Sequence, residues 1–154
     1  MPRESDFMRR ALKRRLHPAL KALGFVGGPT HFRRRNMDCL DLLTIQYWKY
    51  GGEFILEFAR CPRGVLVTSW GKTIEEDKLD VAYIGLSDRA RLVQSEGKQG
   101  HTLHGFDYAL FGEDEDKYLE LTTEVAEMLF QIDRWLEMKE CGRNVRPLFK
   151  EPDA

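Results

Sequence analysis

The stretch from Cys39 to Arg60 constrains this chain most, because its pattern is typical of a β-hairpin. Gly51-Gly52 separates two runs in which apolar and polar residues alternate, and a two-residue Gly-Gly loop suits turns that need positive φ at both positions. With that turn, Trp48 would face Ile55. Side chains alternate along a strand, so every second residue belongs to the predicted core face: Leu43, Ile45, Tyr47, Phe54, Leu56 and Phe58.

The opposite face of this hairpin is a candidate binding surface. It carries two large aromatic side chains, Trp48 and Tyr50, among polar residues that include Gln46 and Glu57. Aromatic anchors within a polar rim are typical of protein–protein interfaces. An alternative interpretation is that later segments, including 65–70, cover this face. The predicted partner-binding residues are therefore Gln46, Trp48, Tyr50 and Glu57.

Helices are predicted at both ends of the chain. Apolar residues spaced three and four apart predict a helix from Ser5 or Asp6 to about Leu23. Pro18 lacks an N–H group, which predicts a kink there or a break near His17. Gly24 has the position of a C-terminal helix cap. A longer helix begins in the acidic stretch 113–116, whose charge suits the positive end of the helix dipole, and ends at 142.

Together these elements predict an α+β fold. It consists of an antiparallel β-sheet of four to six strands, arranged as a meander, with the N-terminal and the long C-terminal helix packed on one face. Besides the hairpin, strands are expected within 30–35, 65–70, 81–93 and 103–111. Residues 1–142 are predicted to form a single domain. Residues 143–154 contain two prolines and few apolar residues, which predicts a loosely ordered tail.

Composition limits the classes of protein to consider. No apolar run approaches the roughly 20 residues that a membrane-spanning helix needs, and no signal peptide is evident, so no membrane association is predicted. The three cysteines are far apart and form no CxxC motif, which indicates reduced thiols. We therefore expect a cytoplasmic protein.

Charge is distributed unevenly along the chain. Residues 1–49 contain 11 Lys and Arg against 4 Asp and Glu, whereas residues 100–154 contain 6 against 13. Either the two ends lie side by side and neutralise each other, or the basic end binds nucleic acid. The low pI of about 6.4 and the lack of interleaved aromatics favour neutralisation. A nucleic-acid face would use Arg9, Arg10, Lys13, Arg14, Arg33, Arg34 and Arg35.

The sequence contains no recognisable catalytic motif. It has no GxGxxG, P-loop, HExxH or GxSxG pattern. His101 and His104 would point to opposite faces of the predicted strand, and no further ligand lies nearby, so no metal site is predicted. We predict no catalytic residue, no metal and no cofactor.

The order of these features resembles a known family. A helix ending in LHPALKALGF precedes HFRRR, the hairpin LLTIQYWKYGGEFILEF, DRARL, LHGFDYALF and a terminal acidic-apolar helix. This order is similar to that of the bacterial domain-of-unknown-function family 4304, over about residues 7–138. The family's Arg-x-Arg element matches Arg89 and Arg91, whereas Phe106 and Tyr108 stand where the family often carries two tryptophans. The resemblance implies little about function, because the family is uncharacterised.

The predicted function is that of a non-enzymatic protein-binding module. Proteins of this size and fold often resemble the small immunity proteins encoded beside bacterial toxins, which makes a toxin a candidate partner by analogy. The alternative is a nucleic-acid-binding protein that uses its Arg-rich N-terminal helix. An uncharacterised enzyme is the third possibility.

Overall fold

The computed structural model describes residues 3–94 and 105–148. The chain begins with α1 (Arg3–Ala11), a π-helical turn (Leu12–Leu16) and α2 (His17–Ala22). The predicted break at Pro18 is instead a widened turn within a continuing helix, because Pro18 lies in the first turn of α2, where a missing N–H is tolerated. Gly24 has a φ of 97°, and Phe25 N–H donates to the carbonyl of Leu20 at 3.0 Å, which confirms the predicted end of the helix.

An antiparallel sheet forms the centre of the molecule. Among the described residues it has seven strands, one more than the predicted maximum: β1 (Val26–Gly27), β2 (His31–Arg35), β3 (Cys39–Tyr47), β4 (Glu53–Pro62), β7 (Arg89–Leu92), β8 (Phe106–Asp107) and β9 (Val145–Pro147). They follow the order β1-β2-β3-β4-β7-β9, and β8 also pairs with β4. A separate two-stranded ribbon consists of β5 (Leu66–Val67) and β6 (Thr73–Ile74). The predicted antiparallel meander is confirmed in β2 to β4.

The C-terminal helical region consists of α3 (Glu115–Glu127) and α4 (Leu129–Met138). It packs with α1 and α2 on one face of the sheet, as predicted, and their apolar side chains form one core with Leu43, Ile45, Phe54, Leu56 and Phe58. The helix ends at Met138 rather than at 142, because Lys139 adopts a left-handed conformation with φ 55°. Within the described residues, no helix combines the length and apolar character that crossing a membrane requires.

The hairpin has the predicted faces but a different turn. Tyr47 lies opposite Phe54, and Trp48 N–H donates to the carbonyl of Glu53 at 2.9 Å, so residues 49–52 form the loop and the two-residue turn is wrong. A shift of two residues leaves every side chain on its predicted face. Gly51 and Gly52 do have positive φ. The longer loop is anchored outside the hairpin, because Tyr108 N–H donates to the carbonyl of Gly52 at 2.8 Å.

Two other predictions are corrected. The 81–93 region forms short 3₁₀ turns at Val81–Tyr83 and Leu86–Asp88, and only β7 is a strand. The predicted loose tail is ordered over 143–148, because β9 pairs with β7 and Val145 is buried.

The basic and acidic ends of the chain are neighbours in the fold. Arg10 on α1 lies 3.8 Å from Glu115 at the start of α3. Arg34 on β2 lies 2.8 Å from Asp133 on α4. Opposite charges from the two ends therefore meet across the helical layer, which supports intramolecular neutralisation.

Candidate functional site

Within residues 3–94 and 105–148, the sheet face opposite the helices is covered at one end only. There, residues of β3 and β4 pack under the segment 74–84 and form a second apolar cluster: Leu40, Leu42, Ala59, Cys61, Ile74, Leu79, Val81 and Ile84. The interpretation that later segments, including 65–70, cover this face is thus correct for this end: Leu66 packs against the cluster, whereas Val67 and Trp70 are exposed. No other described segment covers the opposite end, which we call the open end.

This open end contains two neighbouring cavities, which share the lining residues Gln46 and Arg91 and which we treat as two halves of one cleft. The tip half, next to the hairpin loop, has a volume of about 450 Å³, and the charged half has about 490 Å³. We call the whole depression the sheet cleft. The tip half is lined mainly by Gln46, Tyr47, Trp48, Lys49, Ile55 and Arg91. The charged half is lined mainly by His31, Thr44, Gln46, Glu57, Asp80, Arg89 and Arg91.

The floor of the charged half is a row of polar residues that crosses the strands. Partners in register share a face of the sheet, and successive partners that line the cavity run from β2 to β7: His31, Thr44, Glu57 and Arg91. His31 Nδ1 and Thr44 Oγ1 are 2.9 Å apart, within hydrogen-bonding distance. Sequence reasoning missed His31 and Thr44 as site residues.

Glu57 is the central charge of this row. It was predicted to lie on an interface rim, but only 5% of the residue is exposed, so that placement is wrong. Its Oε1 atom lies 3.7 Å from Arg89 Nη1 and 3.7 Å from Arg91 Nε, which is too long for hydrogen bonds. Among the described residues, Glu57 Oε1, Arg89 Nε and Arg91 Nε are buried without a hydrogen-bond partner. Unpaired buried groups of this kind are costly, so the cluster favours a bound polar group.

The aromatic residues of the hairpin tip are exposed, as the binding-surface prediction requires. Trp48 is 53% exposed and Tyr50 is 71% exposed. Their rings meet edge to face with centroids 5.1 Å apart, and Lys49 Nζ lies 4.9 Å from the Tyr50 ring centre. Gln46 is also exposed. Three of the four predicted partner-binding residues therefore lie on one accessible surface, which we call the tip surface: Gln46, Trp48 and Tyr50.

The predicted basic residues do not form one surface. In β2, Arg33 donates to the carbonyls of Glu76 and Leu79, and Arg35 contacts the Glu76 carboxylate. Arg34 turns to the helical side and binds Asp41. These three arginines have structural contacts within the chain.

The basic residues of the N-terminal helix lie elsewhere. The Arg9 guanidinium is 4.2 Å from the centre of the Tyr47 ring, and that of Arg10 is 4.7 Å from the Phe7 ring. Lys13 and Arg14 are exposed on the same helix. Among the residues predicted to bind nucleic acid, those of this helix form the accessible basic surface.

The described residues bear on two catalytic arrangements: a metal centre and a nucleophilic Cys61. No three His, Cys, Asp or Glu residues converge to hold a metal ion there, and His101 and His104 lie outside the described ranges. Burial and nearby carboxylates raise the pKa of Cys61 to about 11, so its thiol stays protonated near neutral pH. A protonated thiol is a poor nucleophile.

The fold and the sheet cleft define an α+β protein with helices on one face of an antiparallel sheet and a partly open opposite face. A family model described as "Domain of unknown function (DUF4304)" matches residues 16–138, so the chain belongs to this family. The match confirms the resemblance seen in the sequence. Comparisons with curated proteins and with solved structures found no match.

Proposed function

We propose that this protein is a non-enzymatic protein-binding module that contacts its partner through the tip surface. The observation that supports this proposal most is the pair of exposed aromatic rings, Trp48 and Tyr50, packed against each other at a hairpin end. Tryptophan and tyrosine are enriched among residues that dominate interface energy. Single exposed apolar residues are common, but a paired cluster beside a cleft is not explained by folding alone.

The tip surface is also held in a defined conformation. Gly51 N–H donates to the carbonyl of Trp48 at 2.9 Å, which closes a turn around Lys49 and Tyr50. The bond from Tyr108 to Gly52 then fixes the loop to β8. A preordered loop loses little conformational entropy when a partner binds, so more of the contact energy contributes to affinity.

The proposed kind of partner is a bacterial toxin, with this chain acting as a cytoplasmic immunity-type protein. The support is an analogy of size and fold with small immunity proteins, together with an aromatic binding surface. An immunity protein neutralises a toxin by binding it tightly rather than by catalysing a reaction, which is consistent with the proposed binding surface.

Replacing Trp48 with alanine is expected to separate binding from folding. Because more than half of Trp48 is exposed, we expect the free energy of unfolding to fall by less than about 1 kcal/mol. Loss of a central aromatic anchor should weaken partner binding by about 2 kcal/mol or more. Thermal melts give the first quantity. Pull-downs from a lysate of the native host, with identification of the captured protein, give the second.

The matched control is Trp70→Ala. Trp70 is 70% exposed but lies beside the β5–β6 ribbon, away from the tip surface, so this variant should keep the partner. Tyr50→Ala should behave like Trp48→Ala. Equal retention of the partner by the Trp48 and Trp70 variants would reject the tip surface. A captured protein whose toxicity the purified chain does not relieve would reject the immunity role.

Nucleic-acid binding through the N-terminal helix is the second candidate, favoured by the exposed Lys13 and Arg14. If it is correct, affinity for a generic DNA duplex should fall steeply as salt rises, because binding releases counterions from the phosphates. Fluorescence anisotropy at several salt concentrations measures this slope. A double variant, Lys13→Gln with Arg14→Gln, should make this salt dependence less steep, by the amount that corresponds to about two lost phosphate contacts. Absence of binding at low salt would remove this candidate.

A further inference from the structure

We propose that the sheet cleft binds an α-amino acid with a large apolar side chain. The carboxylate of this ligand would contact Arg89 and Arg91, its ammonium group would contact Glu57, and its side chain would lie in the tip half. This inference does not depend on the proposed protein partner. The cleft shares Gln46 and Trp48 with the tip surface, but the charged groups that would hold the amino acid lie outside the tip surface.

The charged half offers complementary groups to both ends of a zwitterion. Two guanidinium groups and one carboxylate meet there at 3.7 Å, each with a buried polar atom that has no hydrogen-bond partner among the described residues. Guanidinium groups bind carboxylates with two parallel hydrogen bonds, and a carboxylate accepts hydrogen bonds from an ammonium group. A ligand that carries both groups on neighbouring atoms would satisfy the donors and the acceptor together.

The charge balance of the cleft favours a zwitterion over an anion. In the charged half, Arg89 and Arg91 are offset by Glu57 and Asp80, and in the tip half Lys49 is offset by Glu53. A phosphate or other dianion would find no excess positive charge among these lining groups. A zwitterion has no net charge, so it enters without creating an unpaired buried charge.

The tip half suits an apolar side chain. It adjoins the charged half at Arg91, and its lining residues on this face of the sheet include the apolar Trp48 and Ile55. Each half has several hundred cubic ångströms of space, within the usual size of small-molecule sites. The neutral polar residues Thr44 and Gln46 line the charged half and can hydrogen-bond a ligand there.

Calorimetric titration of the purified chain with L-phenylalanine tests the proposal. We expect saturable binding at millimolar or lower concentrations. N-acetyl-L-phenylalanine lacks the ammonium group and L-phenylalanine amide lacks the carboxylate, so each should bind about tenfold more weakly or worse. Glycine lacks a side chain for the tip half and should also bind at least about tenfold more weakly.

Variants assign the binding to the cleft. Arg91→Gln and Glu57→Gln should each weaken phenylalanine binding by about tenfold or more, whereas Arg134→Gln, at an exposed position of α4, should bind as the parent does. Circular dichroism checks that the variants are folded. If a variant is not folded, titration of the parent protein with the ligand analogues still tests the proposal. The proposal is overturned if phenylalanine shows no saturable binding at millimolar concentrations. It is equally overturned if either analogue or glycine binds as tightly as phenylalanine.

Discussion

Replacing Asp41 with alanine is expected to lower the free energy of unfolding by about 3 kcal/mol or more. Asp41 is fully buried, and its carboxylate binds Arg60 Nε at 2.6 Å and Arg34 Nη2 at 2.9 Å. Asn36 donates a further hydrogen bond at 2.9 Å. Removing the carboxylate leaves two largely buried guanidinium groups facing each other without the charge between them, which is the costly way to break a buried ion cluster. Urea denaturation of the variant and the parent measures the difference.

Glu137→Ala is the matched control for this prediction. Glu137 also binds Arg60, at 2.9 Å, but 60% of its side chain is exposed. Exposed ion pairs contribute about 0–1 kcal/mol, so the control should lose less than about 1 kcal/mol. If both variants lost the same amount, Asp41 would not be the centre of the cluster.

The same substitution should alter the response to acid. Burial alone raises the pKa of Asp41, but hydrogen bonds from Arg60 and Arg34 outweigh burial and hold that pKa below its ordinary value of 3.8. The unfolded state therefore binds the proton more readily. The stabilisation is complete above pH 3.8 and is lost as the pH falls through the lower folded-state pKa. The unfolding free energy of Asp41→Ala should thus decline less steeply in this range than that of the parent.

The faces of the sheet were predictable because they depend on a local rule. Alternation along one strand places Leu43 and Ile45 on one face of the sheet and Thr44 and Gln46 on the other. An even shift in register, like the one observed here, changes the cross-strand partners but not these faces. The turn was not predictable in the same way. Its length depends on a hydrogen bond between Gly52 and Tyr108, which lie 56 positions apart in the chain.

The sheet cleft shows the same limit. His31, Glu57 and Arg91 meet only because β2, β3, β4 and β7 pair in this order, and β7 is reached through an irregular segment that contains the 3₁₀ turns. Arg89 and Arg91 were noticed through the family resemblance alone. The burial of Glu57 could not be read from its position on a polar face, because the Arg side chains that surround it come from a strand far along the sequence.

The sequence predicts the sheet face on which the two hairpin aromatics lie, but not whether that face is exposed. Alternation places Trp48 and Tyr50 on the non-core face, and later segments, including 65–70, are the predicted alternative cover for that face. The covering segment lies at the other end of the face and leaves the hairpin tip open. Which part of a sheet face is covered depends on where a loop packs, which alternation within a strand does not determine.

Trp135→Ala is expected to cost about 3–5 kcal/mol of unfolding free energy, in contrast to the small effect of Trp48→Ala. Trp135 is only 2% exposed and packs edge to face on Phe58 with ring centroids 5.6 Å apart, so it joins α4 to the centre of the sheet. For a chain of 154 residues this loss corresponds to a fall in Tm of roughly 6–20 °C. Far-UV circular dichroism should follow the melt, since the substitution itself removes a fluorophore.

The comparison among the three tryptophans tests the architecture with one kind of substitution. The same side chain is removed each time, so differences in stability report burial rather than chemistry. We expect Trp135→Ala to be strongly destabilised and Trp48→Ala and Trp70→Ala to melt near the parent. A small effect at Trp135 would mean that α4 does not pack on the sheet in solution. A large effect at Trp48 would mean that the chain itself uses that ring for folding, and the tip surface would then have no free aromatic anchor to offer a partner.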